Sequence, residues 1–131
     1  MSGRTQLTPD WAWAREASFS QGVRVGDTIY VSGMAALDSA GKIVGPGDMT
    51  AQAKKTFENI AAVLAEADAT LDDVVKITAW ITDMSRYAEY SQARAEAFTN
   101  NLPASATVAT PTLVFPELLV EVDAVAYVGD E

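Results

Sequence analysis

The side chains that could carry catalysis in this chain are carboxylates, hydroxyls, lysines and arginines, because its 131 residues include no histidine and no cysteine. Without histidine the most common general base is missing and a Ser-His-Asp triad is excluded. Without cysteine there are no thiol nucleophiles or disulfides, and the two absences together remove nearly all zinc sites. Among the carboxylates, Glu121 alternates with apolar residues near the end of the chain. It is either a catalytic group or a solvated charge on a strand.

The charge balance restricts the partners of the chain. Eighteen acidic residues against nine basic ones give a formal net charge of -9, and we expect no nucleic-acid partner because such binding depends on neutralising phosphates. Hydrophobic residues make up 49% of the chain, which is typical of a globular domain. Residues 1–7 lack the apolar run of a signal peptide, and no stretch reaches the roughly 18 apolar residues of a membrane span. We therefore expect a soluble, cytoplasmic protein with no membrane partner.

The first half of the chain predicts a hairpin, a short strand and a helix. The hairpin turns at Gly26-Asp27, between segments rich in valine and isoleucine. Glycines and a proline surround a short strand predicted at 42–44. Apolar residues at helical spacing predict a helix over 49–67, with Asp48 or Thr50 as its cap.

The second half predicts three strands and one helix. Alternation over 74–82 predicts a strand with one apolar face, formed by Val75, Ile77, Ala79 and Ile81. Asp83 is expected to cap a helix that continues to about Asn100. Two further strands are predicted at 106–114 and 119–128, and the last has an unbroken apolar face opposite Glu121.

This order of elements predicts an α+β domain in which a mixed sheet carries two helices on one face. The other face of the sheet is left for solvent, a ligand or a partner chain. No linker divides the chain, so we expect one domain over 1–131, with residues 1–18 as an N-terminal arm. Trp11 and Trp13 lie in this arm and either cover a cleft or pack against neighbouring residues.

Four segments, in an order that agrees with these elements, resemble the RidA (YjgF) family. They are FSQGVRVGDTIYVSG at 19–33, AQAKKTFENI at 51–60, LDDVVKITAWITDM at 71–84 and VEVDAVA at 120–126. The resemblance implies a chorismate-mutase-like fold and a homotrimer whose three sheets form a central barrel, with clefts between subunits. Members with the complete active-site pattern hydrolyse reactive enamines and imines, such as 2-aminoacrylate, and the resemblance implies no metal or organic cofactor.

The resemblance also assigns site residues, of which some are retained and some replaced. Phe19 stands where the family usually has a tyrosine, in an aromatic-Ser-Gln segment that lines the cleft. The backbone at Gly33 is expected to approach the ligand, and Met34 replaces a glutamine. Glu121 retains the glutamate that helps to position water and substrate in the family.

Ser105 is the main departure from the family pattern. The family's Pro-Ala-Arg-Ser-Thr is Pro-Ala-Ser-Ala-Thr over 103–107, so the arginine that clamps a substrate carboxylate is missing there. Its loss would cost about 2 to 5 kcal/mol of binding, and we expect a neutral or cationic ligand. Ser105 is either a hydrogen-bond donor to such a ligand or the result of lost function, and Thr107 resembles a cleft-lining residue. One extra residue and two prolines leave the local alignment at 109–117 open.

Three functions are compatible with the sequence. The first, which we favour, is an enamine or imine hydrolase of altered specificity, in which Glu121 orients the attacking water while Gly33 and Ser105 hold the ligand. The second is a non-catalytic trimer that binds a small molecule or acts as a chaperone. The third is RNA cleavage, which we rank last because the chain has no basic patch and no histidine.

Overall fold

The computed structural model describes residues 3–129. Residues 1, 2, 130 and 131, which the single-domain prediction includes, lie outside the described residues. In chain order the elements are β1 (Arg4–Leu7), α1 (Ala12–Glu16), β2 (Gly22–Val25), β3 (Thr28–Met34), α2 (Met49–Ala65), β4 (Val74–Ile81), α3 (Tyr87–Ala97), β5 (Ala104–Ala109) and β6 (Val120–Tyr127). Single turns of 3-10 helix precede β4 at Leu71–Asp73 and α3 at Met84–Arg86.

The strands form one six-stranded sheet in the order β1-β2-β3-β6-β4-β5. β4 and β5 are parallel, whereas the other neighbours are antiparallel, so the sheet is mixed. Helices α2 and α3 pack against each other, and α2 packs on β3 and β6. The predicted α+β class with two helices on a mixed sheet is confirmed. No helix within residues 3–129 has the length and apolar character needed to cross a membrane.

Helix α2 forms as its pattern predicted, with a buried stripe facing the sheet. The Asp48 side chain accepts a hydrogen bond of 3.0 Å from the Ala51 backbone N–H, which caps the first turn. Ala53, Phe57, Ile60 and Leu64 are buried in the core. The helix ends two residues earlier than predicted, at Ala65, and the chain then turns through a left-handed residue at 68.

The sheet has a covered face and an open face. Along β6, Val120, Val122, Ala124 and Ala126 are buried against the helices, while Glu121 and the alternate residues after it lie on the other side. Helix α2 packs on the covered side, and we call the second side the open face. The alternation in β6 therefore determines which groups remain accessible.

The prediction for the apolar face of β4 was wrong at Val75, which is 51% exposed. A register shift between Val74 and Lys76 inserts one extra residue opposite β6, so Val74 takes the buried position. Such a bulge interrupts the two-residue alternation on which the prediction depended. Beyond the bulge, Ile77, Ala79 and Ile81 are buried as predicted.

Other predicted boundaries also differ. The segment 42–44 forms only an isolated bridge, Leu37 to Ile43, and not a strand. Asp83 caps the 3-10 turn rather than α3 itself, and α3 ends at Ala97 instead of about Asn100. Strand β5 begins two residues earlier than expected and stops before Pro111, which has no N–H to donate to a neighbouring strand.

The N-terminal segment is part of the domain rather than an arm. Strand β1 pairs with β2 and extends the sheet by one edge strand. Trp11 lies in the core with 9% of its surface exposed and stacks on Trp13, with ring centroids 5.3 Å apart. Packing is thus the role of Trp11, and the Trp13 indole N–H donates to the backbone oxygen of Asp38 at 3.0 Å.

Candidate functional site

Two cavities contain all but one of the site residues predicted from the sequence. The first has a volume of about 540 Å³, and we call it the Glu121 cavity; Phe19, Gln21, Ser32, Gly33, Phe115 and Glu121 are among its lining residues. The second has a volume of about 980 Å³, and we call it the Arg94 cavity; it is lined by Met84, Tyr87, Ser91, Arg94, Ala95, Phe98, Leu102, Pro103, Ser105 and Thr107.

Glu121 lies on the open face because its position on β6 is directly opposite Trp80 on β4. The side chain is half-buried, and this burial raises the pKa of its carboxyl group. The nearby charge of Asp123 raises the same pKa further. A carboxylate whose pKa is raised in this way is a stronger base than an exposed glutamate, so it can accept a proton from water.

Gly33 allows the backbone of β3 to pass directly beside this carboxylate. A Cβ atom at residue 33 would lie 2.9 Å from the Glu121 carboxyl carbon and would collide with its Oε2 atom. A larger residue at 33 would force the Glu121 side chain to move, so the glycine serves close approach and not an unusual backbone angle. Next to it, the Ser32 hydroxyl donates to the backbone oxygen of Ser20 at 2.6 Å, which ties β3 to the segment that carries Phe19.

Met34 is not a cavity residue, and this part of the predicted site was wrong. Its side chain is 2% exposed and belongs to the hydrophobic core. The register shift between Val31 and Met34 leaves both Ser32 and Gly33 away from the core. Met34 therefore points to the same covered face as Val31, where it cannot contact a ligand on the open face.

Phe19 and Gln21 line the Glu121 cavity from a segment that is hydrogen-bonded to β3 at Ser32. Phe19 is 58% exposed, whereas Gln21 is 1% exposed. Neither the nitrogen nor the oxygen of the Gln21 amide has a hydrogen-bond partner within the described part of the chain. Buried amides are rarely left unsatisfied. Sequence reasoning missed Gln21 as a site residue, although the resemblance already placed its segment at the cleft.

Ser105 and Thr107 lie on the opposite side of the sheet from Glu121. In the parallel register they stand beside Ile77 and Ala79, whose side chains are buried on the covered face. Directly paired residues of neighbouring strands point to the same face. Within one protomer, therefore, the structure does not bring Ser105 and Thr107 together with Glu121. Their strand, β5, is at the edge of the sheet.

Arg94 is the second residue that sequence reasoning missed. Its Nη1 atom donates to Ser105 Oγ at 3.2 Å, and its Nη2 atom donates to Tyr87 Oη at 2.9 Å and to Ser91 Oγ at 3.4 Å. The guanidinium carbon lies 5.3 Å from the ring centre of Tyr90. The available signal was helical spacing, which puts Arg94 on the same side of α3 as Tyr87 and Ser91.

Comparison with known proteins identifies relatives that share both the sequence pattern and the fold. A family model described as Endoribonuclease L-PSP matches residues 11–128. A RutC family protein of Pyrococcus abyssi is 38% identical over 110 residues, which cover 83% of this chain and 85% of that protein.

Two solved structures have the same architecture. A member of the YjgF/YER057c/UK114 family from Mycobacterium tuberculosis aligns with a TM-score of 0.83 and 33% identity, over 95% of this chain and 99% of that chain. A Rid family protein from Yersinia pestis aligns with a TM-score of 0.88 and 28% identity, over the same fractions of the two chains.

Proposed function

Because the chain belongs to the RidA (YjgF) family, we propose that it hydrolyses a reactive enamine, an imine or a related small metabolite. Its specificity differs from that of members with the complete pattern, because Ser105 stands where they have an arginine. The observation that carries the proposal is the Glu121 cavity, where a half-buried carboxyl group of raised pKa lies against the glycine backbone of β3.

The proposed reaction uses Glu121 as the group that moves protons. Its carboxylate accepts a proton from a water molecule as the water oxygen bonds to the imine carbon. The same carboxyl group then returns this proton to the nitrogen, which gives a carbinolamine. The carboxylate next carries the hydroxyl proton of the carbinolamine to the nitrogen, the C–N bond breaks, and ammonia leaves as the C–O bond becomes a carbonyl. The reaction consumes one water for each ammonia released and needs no change of oxidation state.

The other residues of the Glu121 cavity hold the reacting molecule. The buried Gln21 amide offers its NH2 group as donor and its oxygen as acceptor, and no described residue uses either. This pair of groups suits the nitrogen and the water of the reaction. Phe19 provides an apolar surface at the cavity entrance. The Gly33 backbone leaves room for the Glu121 carboxyl group directly beside β3.

A complete site requires two protomers in this proposal. Ser105 and Thr107 lie on the covered side at edge strand β5, whereas Glu121 lies on the open face. A complete site therefore needs Ser105 and Thr107 of one protomer beside Glu121 of its neighbour. Tyr30 and Tyr127 leave about half of their surface exposed on the open face, which supports burial there against copies of the same chain. We therefore include the homotrimer, with its clefts between subunits, in the proposal.

The proposal is tested by measuring ammonia release from a panel of enamines and imines, half of which carry a carboxylate. We expect turnover of at least one compound, its loss in Glu121→Gln, and its retention in Glu117→Gln, which removes an exposed carboxylate outside the cavity. If the wild-type protein releases no ammonia from any compound of the panel, the proposed hydrolase activity is contradicted. Binding of the same compounds without turnover would then support the non-catalytic trimer.

RNA cleavage, the activity named in the description of the family model, has less support in this chain. The net charge of -9 opposes binding of phosphates, and the chain contains no histidine to act as acid and base. We expect no cleavage of single-stranded RNA by the purified protein. Cleavage that disappears in Glu121→Gln would overturn this ranking.

A further inference from the structure

Arg94 differs in its partners from five other basic side chains within residues 3–129. Five basic residues within 3–129 form ion pairs with carboxylates, namely Arg15, Arg24, Lys54, Lys55 and Arg86. Arg94 takes part in none of the ion pairs in this range. Its three hydrogen bonds all go to neutral hydroxyl groups. In a chain of net charge -9, a cation without an acidic partner keeps its full charge available for an anion.

The Arg94 guanidinium is also held in a fixed position. Hydrogen bonds to Ser105, Tyr87 and Ser91 attach it to both β5 and α3. Its carbon lies 5.7 Å from the ring centre of Tyr87 and 5.3 Å from that of Tyr90, so the two rings support the planar group. A guanidinium that is already ordered loses little conformational freedom when it binds a ligand.

The Arg94 cavity has room and chemistry for a small ligand. Its volume is about 980 Å³. Hydroxyl groups of Ser91, Ser105 and Thr107 provide further hydrogen bonds, and Phe98 and Leu102 provide apolar surface. The combination of a rigid cation, hydroxyls and apolar side chains is typical of a pocket that orients one charged end of a small molecule.

From this geometry we propose that Arg94 binds the carboxylate of a small ligand and so takes over the task of an arginine at residue 105. The guanidinium comes from α3 rather than from β5, but its Nη1 atom lies within hydrogen-bond distance of the Ser105 hydroxyl. The expectation of a neutral or cationic ligand assumed that no guanidinium was present at this place, and that assumption no longer holds. The inference rests on the proposed function for the fate of the ligand, whereas anion binding is measurable without turnover.

The test compares the affinity of the assembled protein for pyruvate and for its neutral isostere pyruvamide, by NMR or calorimetric titration. We expect the wild-type protein to prefer pyruvate, and Arg94→Gln to weaken pyruvate binding about tenfold or more while pyruvamide changes less than twofold. Arg94→Lys, which keeps the charge but not the planar pair of donors, is expected to be intermediate. Arg24→Gln removes one positive charge from the exposed hairpin and is expected to leave both affinities unchanged.

A double variant that moves the guanidinium from α3 to β5 provides the second arm of the test. In the double variant Arg94→Gln with Ser105→Arg, we expect the preference for pyruvate to return, because a guanidinium again reaches the cavity. This arm keeps the inference testable if Arg94→Gln alone lowers the melting temperature. Equal affinity of the wild-type protein for the two compounds, or an unchanged preference in a folded Arg94→Gln, would overturn the inference.

Separate measurements of pyruvate binding and of ammonia release distinguish this inference from the proposed function. Pyruvate binding that depends on Arg94, in a protein that releases no ammonia from any compound, would refute the hydrolase and leave the inference intact. Ammonia release that depends on Glu121 but not on Arg94, for a substrate with a carboxylate, would refute the inference and leave the hydrolase intact.

Discussion

The Glu121 cavity and the Arg94 cavity are built on different principles. In the first, the carboxyl group is a side chain on a central strand that lies directly beside the backbone of β3, and a single added carbon at Gly33 would displace it. In the second, the charged group is a long helix side chain held by hydroxyls across the gap between α3 and β5. In our proposals the Glu121 cavity supplies the carboxyl group that moves protons, whereas the Arg94 cavity supplies a guanidinium from α3 instead of β5. The comparison indicates that the position of the carboxyl group depends on one backbone contact, whereas the position of the cation depends on several side-chain partners.

The largest effect is expected from removing the carboxyl group of the Glu121 cavity. Glu121→Gln should lower the rate of imine hydrolysis by about 100-fold or more, because a positioned general base typically contributes that much. Affinity for pyruvate should stay within twofold of the wild-type value, since Arg94 is untouched. Single-turnover kinetics and a binding titration measure the two quantities. A parallel loss of affinity would contradict the division of tasks between the cavities.

Gly33→Ala tests the close approach of β3 to Glu121. The added methyl group must push the carboxyl group aside, so we expect hydrolysis to fall about tenfold or more while pyruvate binding is retained. Gly3→Ala is the matched control, because a Cβ there meets nothing within 4 Å. Normal rates in a folded Gly33→Ala would show that the position of the carboxyl group is less restricted than we infer.

Gln21→Leu tests whether the buried Gln21 amide contacts the ligand or only stabilises the fold. Because the buried amide has no hydrogen-bond partner within residues 3–129, its removal should not destabilise the fold and is expected to raise stability by about 1 kcal/mol. We expect KM for the imine to rise several-fold at the same time. A lower melting temperature with an unchanged KM would assign Gln21 to the fold alone.

The smallest effect is expected from removing the charge of Asp123, the carboxylate near Glu121. The charge of Asp123 contributes to the raised pKa of Glu121, so Asp123→Asn should lower that pKa. Hydrolysis needs the ionised form of Glu121, so the rate rises with pH through this pKa. The ascending limb of the pH–rate profile should therefore move to lower pH in the variant. A limb that stays in place would mean that another group controls it.

The raised pKa of Glu121 also leads us to expect that the stability of the fold depends on pH. A carboxyl group whose pKa is higher in the folded than in the unfolded state stabilises the fold most at low pH, and this stabilisation is lost as pH rises through the folded-state pKa. Glu121→Gln should therefore be more stable than the wild-type protein at neutral pH, with a smaller difference in acid. Thermal unfolding at several pH values measures this, and a constant difference would contradict it.

The sequence predicted those parts of the fold that have long regular patterns. Helix α2 and strand β6 were located within about two residues, because burial along them follows one period for many residues. The short elements β1 and α1, of four and five residues, carry too few repeats to be detected. The bulge at Val75 was missed because it changes the period within a strand.

The residues that line the two cavities were predicted in part, and those that were missed depend on tertiary contacts. Glu121, Gly33 and Phe19 share one cavity, and Ser105 and Thr107 share the other. Arg94 was missed because its contact with Ser105 joins α3 to β5 only in the folded chain, and no local motif encodes that contact. Met34 was included wrongly because a register shift in β3 changes the face to which it points.

The central claim is that one working site combines the Glu121 cavity of one protomer with the Arg94 cavity of its neighbour. It is tested most directly by unfolding Glu121→Gln and Arg94→Gln together, refolding the mixture and assaying a carboxylate-bearing imine. In a mixed trimer of cyclic symmetry, about a quarter of the sites would combine an intact Glu121 with an intact Arg94. The account predicts recovery to about a quarter of wild-type activity, well above either variant refolded alone. Activity equal to the average of the two separate variants would contradict it.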